Sequence, residues 1–250
     1  MLIVANWKMN PQTLKEAKML FAASKKAVDR LKNVEVVIAP PMLFLAPLRE
    51  GYAGKKLVFA AQNGHAEPRG SYTGDVSMIQ IASLGIPYVI IGHAERRAAG
   101  ETDDDVRRKT ISALTAGLTP IVCVGEKERN SNGSHFEVVR AQLRAAFADV
   151  PATKVNKVVV AYEPVWAIGA PDPMTTHDMH EMSIFIRKVI TERYAFEEKQ
   201  PRIAPAILYG GAIDESSAAA MVREGEVGGL LVGRASVDVQ RFTRLLQSLA

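Results

Sequence analysis

The sequence lacks most of the features that mark specialised protein classes. Its 250 residues contain one cysteine, Cys123, which excludes a disulfide framework and a zinc site built from several thiolates. Cys123 lies in an apolar run, so we predict that it is a buried packing residue. Aromatic residues make up only 6% of the chain, and no apolar run reaches the length of a membrane span. The sequence therefore predicts a globular protein without a membrane partner.

An excess of one charge is also missing. The 31 Lys and Arg residues against 27 Asp and Glu give a net charge of +4, and basic residues are interleaved with acidic ones. This pattern argues against a nucleic-acid partner and leaves room for a small anionic ligand. The apolar run at residues 1–10 is shorter than a signal-peptide core, so we expect a cytoplasmic protein. Neither a G-x-G-x-x-G nor a Walker A pattern occurs, so a nucleotide cofactor is not expected.

Short apolar strands alternate with amphipathic helices along the whole chain. We predict eight strands, within 2–8, 34–40, 57–63, 87–93, 118–126, 157–163, 206–211 and 228–233. We predict six helices, at 13–31, 104–116, 136–148, 176–194, 216–224 and 237–249. Such alternation gives parallel strands joined by helical crossovers, and eight units of this size form a closed (β/α)8 barrel. Because no linker divides the chain, we predict one α/β domain over residues 1–250.

Polar residues follow several of these strands, where barrel enzymes place their chemistry. Glu163 ends a strand predicted to be buried on both faces, so we expect it to lie half out of water and to be basic enough to take a proton near neutral pH. Asn6 and Lys8 follow the first strand, and His93 follows the fourth. Taken singly, Glu163 is equally well explained as a strand-end carboxylate paired with a Lys or Arg. For the other three, a loop amide, a surface cation and a core imidazole are the preferred explanations of Asn6, Lys8 and His93. Together, a Glu, a His and a Lys provide a base, an electrophile and a fixed charge for proton transfer next to a carbonyl.

His93 opens what the sequence indicates is the first turn of a helix. The partial positive charge of a helix N-terminus disfavours an imidazolium, so we expect a neutral His93 that donates a hydrogen bond to a substrate oxygen. Glu95 in the same turn would orient Lys8 or relay a proton. An ordinary helix-start carboxylate, favoured by the helix dipole, explains Glu95 equally well.

Two glycine turns follow the last two strands. Gly210-Gly211-Ala212 and Gly233-Arg234-Ala235 present backbone N–H groups near predicted helix starts, which suits an anion. Ordinary tight turns are the alternative interpretation. Because phosphate sites in (β/α)8 barrels lie after strands seven and eight, we favour a phosphate-binding site.

Six motifs resemble those of the triosephosphate isomerase family, and the resemblance extends over essentially the whole chain. They are ANWKMN at 5–10, QNGH with GSYTGD at 62–75, IGHAERR at 91–97, CVGE at 123–126, AYEPVWAIG at 161–169 and LYGG at 208–211. The resemblance implies interconversion of dihydroxyacetone phosphate and D-glyceraldehyde 3-phosphate through an enediolate, a step of glycolysis and gluconeogenesis, with no metal or cofactor. In this scheme Glu163 abstracts the carbon-bound proton, His93 polarises the oxygens, Lys8 stabilises the negative charge and Asn6 holds the same oxygens.

The resemblance also implies two functional loops. A lid at about 164–176 would close over the substrate, with the N–H of Gly169 binding phosphate alongside Ala212, Gly233 and Arg234. A loop at about 62–75 would insert into a second subunit, with Thr73 reaching the partner's active site, so a homodimer is expected. Asp75 is shorter than the Glu usual in the family, which puts an expected ion pair with Arg96 in doubt.

Several positions depart from the family pattern. Ala94 and Ala212 stand where the family usually has serines, so two hydroxyl contacts are lost. Ala170, Pro171 and Asp172 replace the usual lid tip, and with Pro173 they predict a stiffer lid. Arg234 replaces a glycine, and its side chain would either crowd the phosphate or add a cation to it.

Three alternatives remain open from the sequence. The first is an isomerase of a four-carbon ketose phosphate on the same fold, and the second is a catalytically impaired barrel that acts as a scaffold. The third is a metal site formed by His177, His180 and Glu181, which share a helix face at i, i+3 and i+4. For these three residues we favour a solvated helix start and expect no metal, since no fourth ligand is evident.

Overall fold

Eight parallel strands close into a barrel in chain order. The computed structural model of the chain describes residues 1–29, 31–130, 132–168, 174–195, 203 and 205–249. The strands are β1 (Leu2–Asn6), β2 (Glu35–Ala39), β3 (Leu57–Ala61), β4 (Tyr88–Ile91), β5 (Thr119–Val124), β6 (Val159–Tyr162), β7 (Ile207–Tyr209) and β8 (Gly229–Val232). Each lies within a predicted strand, and the predicted α/β barrel is confirmed.

Helices surround the barrel. They are α1 (Leu14–Val28), α2 (Met42–Glu50), α3 (Met78–Ser83), α4 (Ala94–Ala98), α5 (Asp103–Thr115), α6 (Ser134–Ala146), α7 (Thr176–Arg193), α8 (Ala218–Glu224) and α9 (Val239–Ser248). Three of them, α2, α3 and α4, were not among the six predicted helices, although the sequence indicated a helix start at His93, where α4 begins. Pro47 lies inside α2, where proline normally interrupts a helix, and α3 is too short for a helical period to be evident. Within the described residues, no helix is long and apolar enough to cross a bilayer.

Side chains alternate between the two faces of the barrel wall. One set packs against the helices, and the other fills the barrel interior with small and branched residues. The interior set comprises Val4, Val37, Ala39, Ala60, Ile90, Ile121, Cys123, Val159, Ala161, Leu208 and Leu231. Cys123 is buried and free, as its sequence context predicts. Because this interior is apolar, the strands present their polar groups at their ends.

Candidate active site

A cavity of about 270 Å³ opens at the carboxyl ends of the strands. The structure brings the candidate residues of three distant segments to this one space, together with both glycine turns. The lining residues are Asn6, Lys8, His93, Glu163, Ile168, Gly210, Gly211, Ala212, Ile213, Asp214, Ser217, Leu231, Gly233, Arg234, Ala235 and Arg241.

Glu163 is positioned by the strand ladder on both sides. Its N–H donates to the carbonyl of Val124 at 2.8 Å, and the N–H of Gly210 donates to the carbonyl of Tyr162 at 2.8 Å. A Cβ added at Gly210 would lie only 2.8 Å from Cγ of Glu163, so the first glycine of the turn after β7 leaves room for the carboxylate. Glu163 itself is only 3% exposed, whereas the sequence predicted a half-exposed group.

Three donors surround the carboxylate of Glu163. His93 Nε2 lies 3.1 Å from Oε1, the N–H of Ala94 donates to Oε2 at 3.2 Å, and the thiol of Cys123 forms a further hydrogen bond. Burial alone raises the pKa of Glu163, but these donors together hold the pKa below its ordinary value of 4.5. The carboxylate is therefore a weaker base in this arrangement than the sequence predicted, because the hydrogen bonds outweigh its burial.

His93 is the N-cap residue of α4, and its Nδ1 accepts the N–H of Glu95 at 3.2 Å. A protonated Nδ1 cannot accept a hydrogen bond, so the remaining proton of a neutral ring lies on Nε2 and points at Glu163. Burial lowers the pKa of His93, while the hydrogen bond and charge of Glu163 raise it above its ordinary value. We assign the neutral ring with Nε2–H, because the accepted backbone N–H leaves no place for a second proton. This geometry supports the neutral state expected from the helix start, which stays a prediction.

Lys8 has a left-handed backbone with φ of 53°, a conformation that side chains rarely adopt without support. Its N–H donates to Oδ1 of Asn6 at 3.0 Å, and its carbonyl accepts from Nε2 of Gln62 at 2.9 Å. The ammonium reaches Oε1 of Glu95 at 2.6 Å, the contact that an orienting role for Glu95 requires. A Cβ added at Gly233 would lie 3.3 Å from Cε of Lys8, so the lysine stem also lies against the turn after β8.

The two glycine turns lead into different secondary structure. The second leads directly into a 3₁₀ helix at Arg234–Val237, whereas α8 begins only at Ala218 and not at the predicted residue 216. In the first turn, a Cβ added at Gly211 would lie 2.2 Å from Oη of Tyr209, so only glycine fits beneath this ring.

Comparison with known proteins identifies the family. The family model described as triosephosphate isomerase matches residues 1–249. The chain belongs to the triosephosphate isomerase family. It is 39% identical over 249 residues to the triosephosphate isomerase of Endomicrobium trichonymphae, covering 98% of this chain and 97% of that protein. It is 38% identical to that of Aquifex aeolicus, with 99% and 98% covered, and 38% identical to that of Dehalococcoides mccartyi, with 100% and 97% covered.

The two departures that remove a serine hydroxyl can be placed in the structure. Ala94 lacks the expected hydroxyl, yet its backbone N–H holds Glu163, so this contact survives the loss of the serine. Ala212 lines the cavity without a hydroxyl. Gly169 and the lid residues Ala170, Pro171, Asp172 and Pro173 lie outside the described residues.

Two polar residues at strand ends were not among the candidates, although they support residues around the site. Gln62 binds the Lys8 backbone and also donates to the carbonyl of Ala39 at 2.8 Å. The buried carboxylate of Glu126 accepts from Oη of Tyr162 at 2.8 Å and from Nε1 of Trp166 at 2.7 Å. Gln62 directly follows β3, and Glu126 follows β5 after one glycine. Their position at strand ends is thus the signal in the sequence that could have indicated them.

A second cavity of about 410 Å³ lies beside Lys8. It is lined by residues of β1, of α2, of the predicted dimer loop and of α4: Asn6, Lys8, Met42, Gln62, Asn63, Gly64, His65, Gly74, Asp75, Val76, His93, Glu95, Arg96 and Ala99. Thr73 is exposed near the end of the loop. Asp75 faces His65, with Oδ2 3.8 Å from Nε2, and no described carboxylate pairs with Arg96. The ion pair that the sequence left in doubt is therefore not formed among the described residues of this chain.

The side chains of the alternative metal site have other neighbours. Glu181 accepts from Nη2 of Arg129 at 3.0 Å, and Nε2 of His180 lies 3.8 Å from Oε2 of Glu226. Over the described ranges, no group of three or more His, Cys, Asp or Glu side chains is arranged to hold a metal ion.

Proposed function

We propose that this protein interconverts dihydroxyacetone phosphate and D-glyceraldehyde 3-phosphate through an enediolate. The observation that carries the proposal is the convergence of the Glu163 carboxylate, the Nε2–H of His93 and the ammonium of Lys8 on one cavity. These are the groups that proton transfer between two carbons beside a carbonyl requires. Membership of the triosephosphate isomerase family supports a phosphorylated triose as substrate.

In the first step, Glu163 takes a proton from the carbon next to the substrate carbonyl. The electron pair of the broken C–H bond moves to the carbonyl oxygen, where Nε2–H of His93 and the charge of Lys8 stabilise the developing enediolate. Asn6 holds the same oxygens. For this step Glu163 must turn away from His93 and Ala94. The turn frees the Glu163 carboxylate and the Nε2–H of His93 to contact the substrate.

This reorientation increases the basicity of Glu163. The hydrogen bonds to His93 and Ala94 are the groups that lower the pKa of the carboxylate, while burial acts to raise it. Once Glu163 faces an apolar C–H group, burial remains and the two hydrogen bonds are gone, so its pKa rises. In the second step His93 transfers a proton between the two oxygens, and Glu163 returns its proton to the neighbouring carbon.

The phosphate group binds at the opposite end of the cavity. Backbone N–H groups of Ala212, Gly233 and Arg234 at the two glycine turns bind its oxygens, together with the N–H of Gly169 from the lid. Because these donors belong to the backbone, the replacement of serine by Ala212 leaves the N–H in place. Closure of the lid over 164–176 excludes water and strengthens the electrostatic interactions inside.

Steady-state assays with purified protein test this proposal. Glyceraldehyde 3-phosphate and dihydroxyacetone phosphate should each be converted into the other, and a four-carbon ketose phosphate should react far more slowly. Activity with the four-carbon substrate alone would favour the alternative isomerase. No activity with either substrate would favour a scaffold protein.

We further propose a homodimer in which the loop at 62–75 of each subunit enters the second cavity of the other, with Thr73 near its active site. Three large, exposed apolar side chains support this interface: Met9, Leu43 and Tyr72. Met9 and Leu43 are 83% and 80% exposed, and each directly follows a residue that lines the second cavity. The ring of Tyr72, which is 45% exposed, lies tilted against the ring of His65 from the same cavity, with the ring centroids 4.1 Å apart. Exposed apolar groups clustered in this way mark protein interfaces.

Light scattering coupled to size-exclusion chromatography should give twice the chain mass of 27.2 kDa. Tyr72→Asp should shift the protein toward monomer, whereas Ile184→Asp, an exposed apolar position on α7, should not. A monomeric wild-type protein would contradict the dimer. We also propose a cytoplasmic location, which cell fractionation would test.

A further inference from the structure

Two arginines line the outer end of the substrate cavity. Arg234 begins the 3₁₀ helix after β8, and Arg241 lies in the first turn of α9. Both residues are exposed. The proposed phosphate site uses the backbone N–H of Arg234 and no part of Arg241, so both guanidinium groups remain available at this end of the cavity.

The nearest carboxylate to Arg241 is already engaged. Nε of Arg241 lies 3.7 Å from Oε2 of Glu215, which is beyond hydrogen-bonding distance. The same carboxylate accepts a hydrogen bond from Nε of Arg244 at 3.0 Å, and Nη2 of Arg244 lies 2.9 Å from its Oε1. For Arg234, no ion pair is found with any described carboxylate. Arg241 thus keeps only a long ion pair with Glu215, and among the described residues neither guanidinium group donates a hydrogen bond.

Asp214 is the one carboxylate among the described lining residues at this end of the cavity. Its Oδ1 accepts the N–H groups of Ser216 and Ser217 at 3.0 and 2.9 Å, and also accepts both serine hydroxyls. These bonds hold the pKa of Asp214 below its ordinary value, so its charge persists. The hydrogen bonds that its Oδ1 accepts come from the two serines, and no described hydrogen bond joins Asp214 to either arginine.

We propose that Arg234 and Arg241 form a second anion subsite beside the phosphate-binding turns, which fits the cavity to ligands that carry two linked phosphoryl groups. The inference rests on the proposed function, because the first phosphoryl group takes the position of the triose phosphate group. Planar guanidinium groups match phosphoryl oxygens with paired hydrogen bonds, so the second group has suitable donors. Such a diphosphate would compete with the triose substrate.

Calorimetric titration of the full chain with inorganic phosphate and with pyrophosphate, at constant ionic strength, tests the subsite. Pyrophosphate should bind about tenfold more tightly than phosphate, as expected for one added charge-assisted contact. Arg241→Gln and Arg234→Gly should each reduce this preference. Arg223→Gln removes the same charge from a residue of α8 whose side chain is 76% exposed and does not line the cavity, so it should leave the preference unchanged.

Equal binding of the two anions by the wild type, or a preference retained in both cavity variants, would overturn the subsite. Failure to bind either anion would also overturn it. Calorimetry requires no turnover, so this result is separable from the proposed function. If the protein is inactive but prefers pyrophosphate in a way that depends on Arg241, the subsite is supported and the isomerase function is contradicted. If the protein is active but shows no preference for pyrophosphate, the isomerase function is supported and the subsite is contradicted.

Discussion

The two ends of the substrate cavity are built in different ways. At the proposed proton-transfer end, the chemistry is assigned to side chains, and Lys8, His93 and Glu163 are each oriented by specific hydrogen bonds. At the phosphate end, the turns after β7 and β8 offer mainly backbone, and Ala212 and Arg234 depart from the family pattern. Under the proposed function, this difference implies that residue identity is constrained where the chemistry needs a side chain. Where the backbone binds the ligand, identity can vary as long as the path of the chain is kept.

The largest expected effect is at the proton-transfer end. Glu163→Gln preserves shape but removes the base, and kcat should fall by about 10³-fold, within the range of general-base catalysis. Steady-state isomerisation of glyceraldehyde 3-phosphate measures this loss, with Glu50→Gln, an exposed change at the end of α2, as the control. Near-normal turnover in Glu163→Gln would show that another group is the base.

Lys8→Met should reduce kcat/KM by about 10²-fold, because it removes a fixed charge from the developing enediolate. The same assay measures the effect. The matched control is Lys18→Met on the exposed face of α1, which should change activity little. A loss confined to KM would assign Lys8 to substrate binding alone.

The phosphate end should not tolerate a substitution that changes the path of the backbone. In Gly211→Ala, the new Cβ would meet the Tyr209 ring, and we expect a loss of about 1 to 3 kcal/mol in the free energy of unfolding, with a raised KM. Urea unfolding and steady-state kinetics measure the two effects. The control is Gly228→Ala, where the new Cβ would have its nearest neighbour at 3.5 Å, an ordinary van der Waals distance. It should change both the free energy of unfolding and KM less than Gly211→Ala does.

The lowered pKa of Glu163 predicts a pH dependence of stability. A folded-state pKa below the ordinary value of 4.5 means that the stabilisation is present above that value and is lost as pH falls through the folded pKa. The free energy of unfolding of the wild type should therefore decrease more steeply in acid than that of Glu163→Gln. Urea titrations at several pH values would show it, and parallel curves would contradict the assigned hydrogen bonds.

The smallest expected effect comes from restoring a hydroxyl at the phosphate end. Ala212→Ser should raise kcat/KM by about fivefold at most, the value of one net hydrogen bond. Ala22→Ser on the exposed face of α1 should have no effect. A gain of several orders of magnitude would show that side chains matter at this end as much as at the other.

Sequence reasoning predicted the barrel and the residues at the strand ends because both depend on local patterns. Apolar strands and amphipathic helices have distinct periods, and the carboxyl ends of parallel strands meet at one rim. The structure accordingly brings Lys8, His93 and Glu163 to one cavity. The roles of these residues and the dimer remain predictions.

Other features depend on contacts between distant segments and could not be predicted. The pKa of Glu163 is set by donors from α4 and β5, and the backbone of Lys8 is held by Gln62 from the end of β3. The helix α2 forms despite Pro47, because tertiary packing of Phe44, Leu45 and Leu48 outweighs the local preference.

Isomerisation of dihydroxyacetone phosphate in D₂O, followed by NMR, tests the central claim most directly. Proton abstraction by Glu163 creates a carboxylic acid that either returns the abstracted proton or exchanges it with solvent. The account therefore predicts deuterium in part of the product, on the carbon that gains a proton, and neither rapid turnover nor labelling with Glu163→Gln. Labelling by Glu163→Gln at the wild-type rate would contradict it.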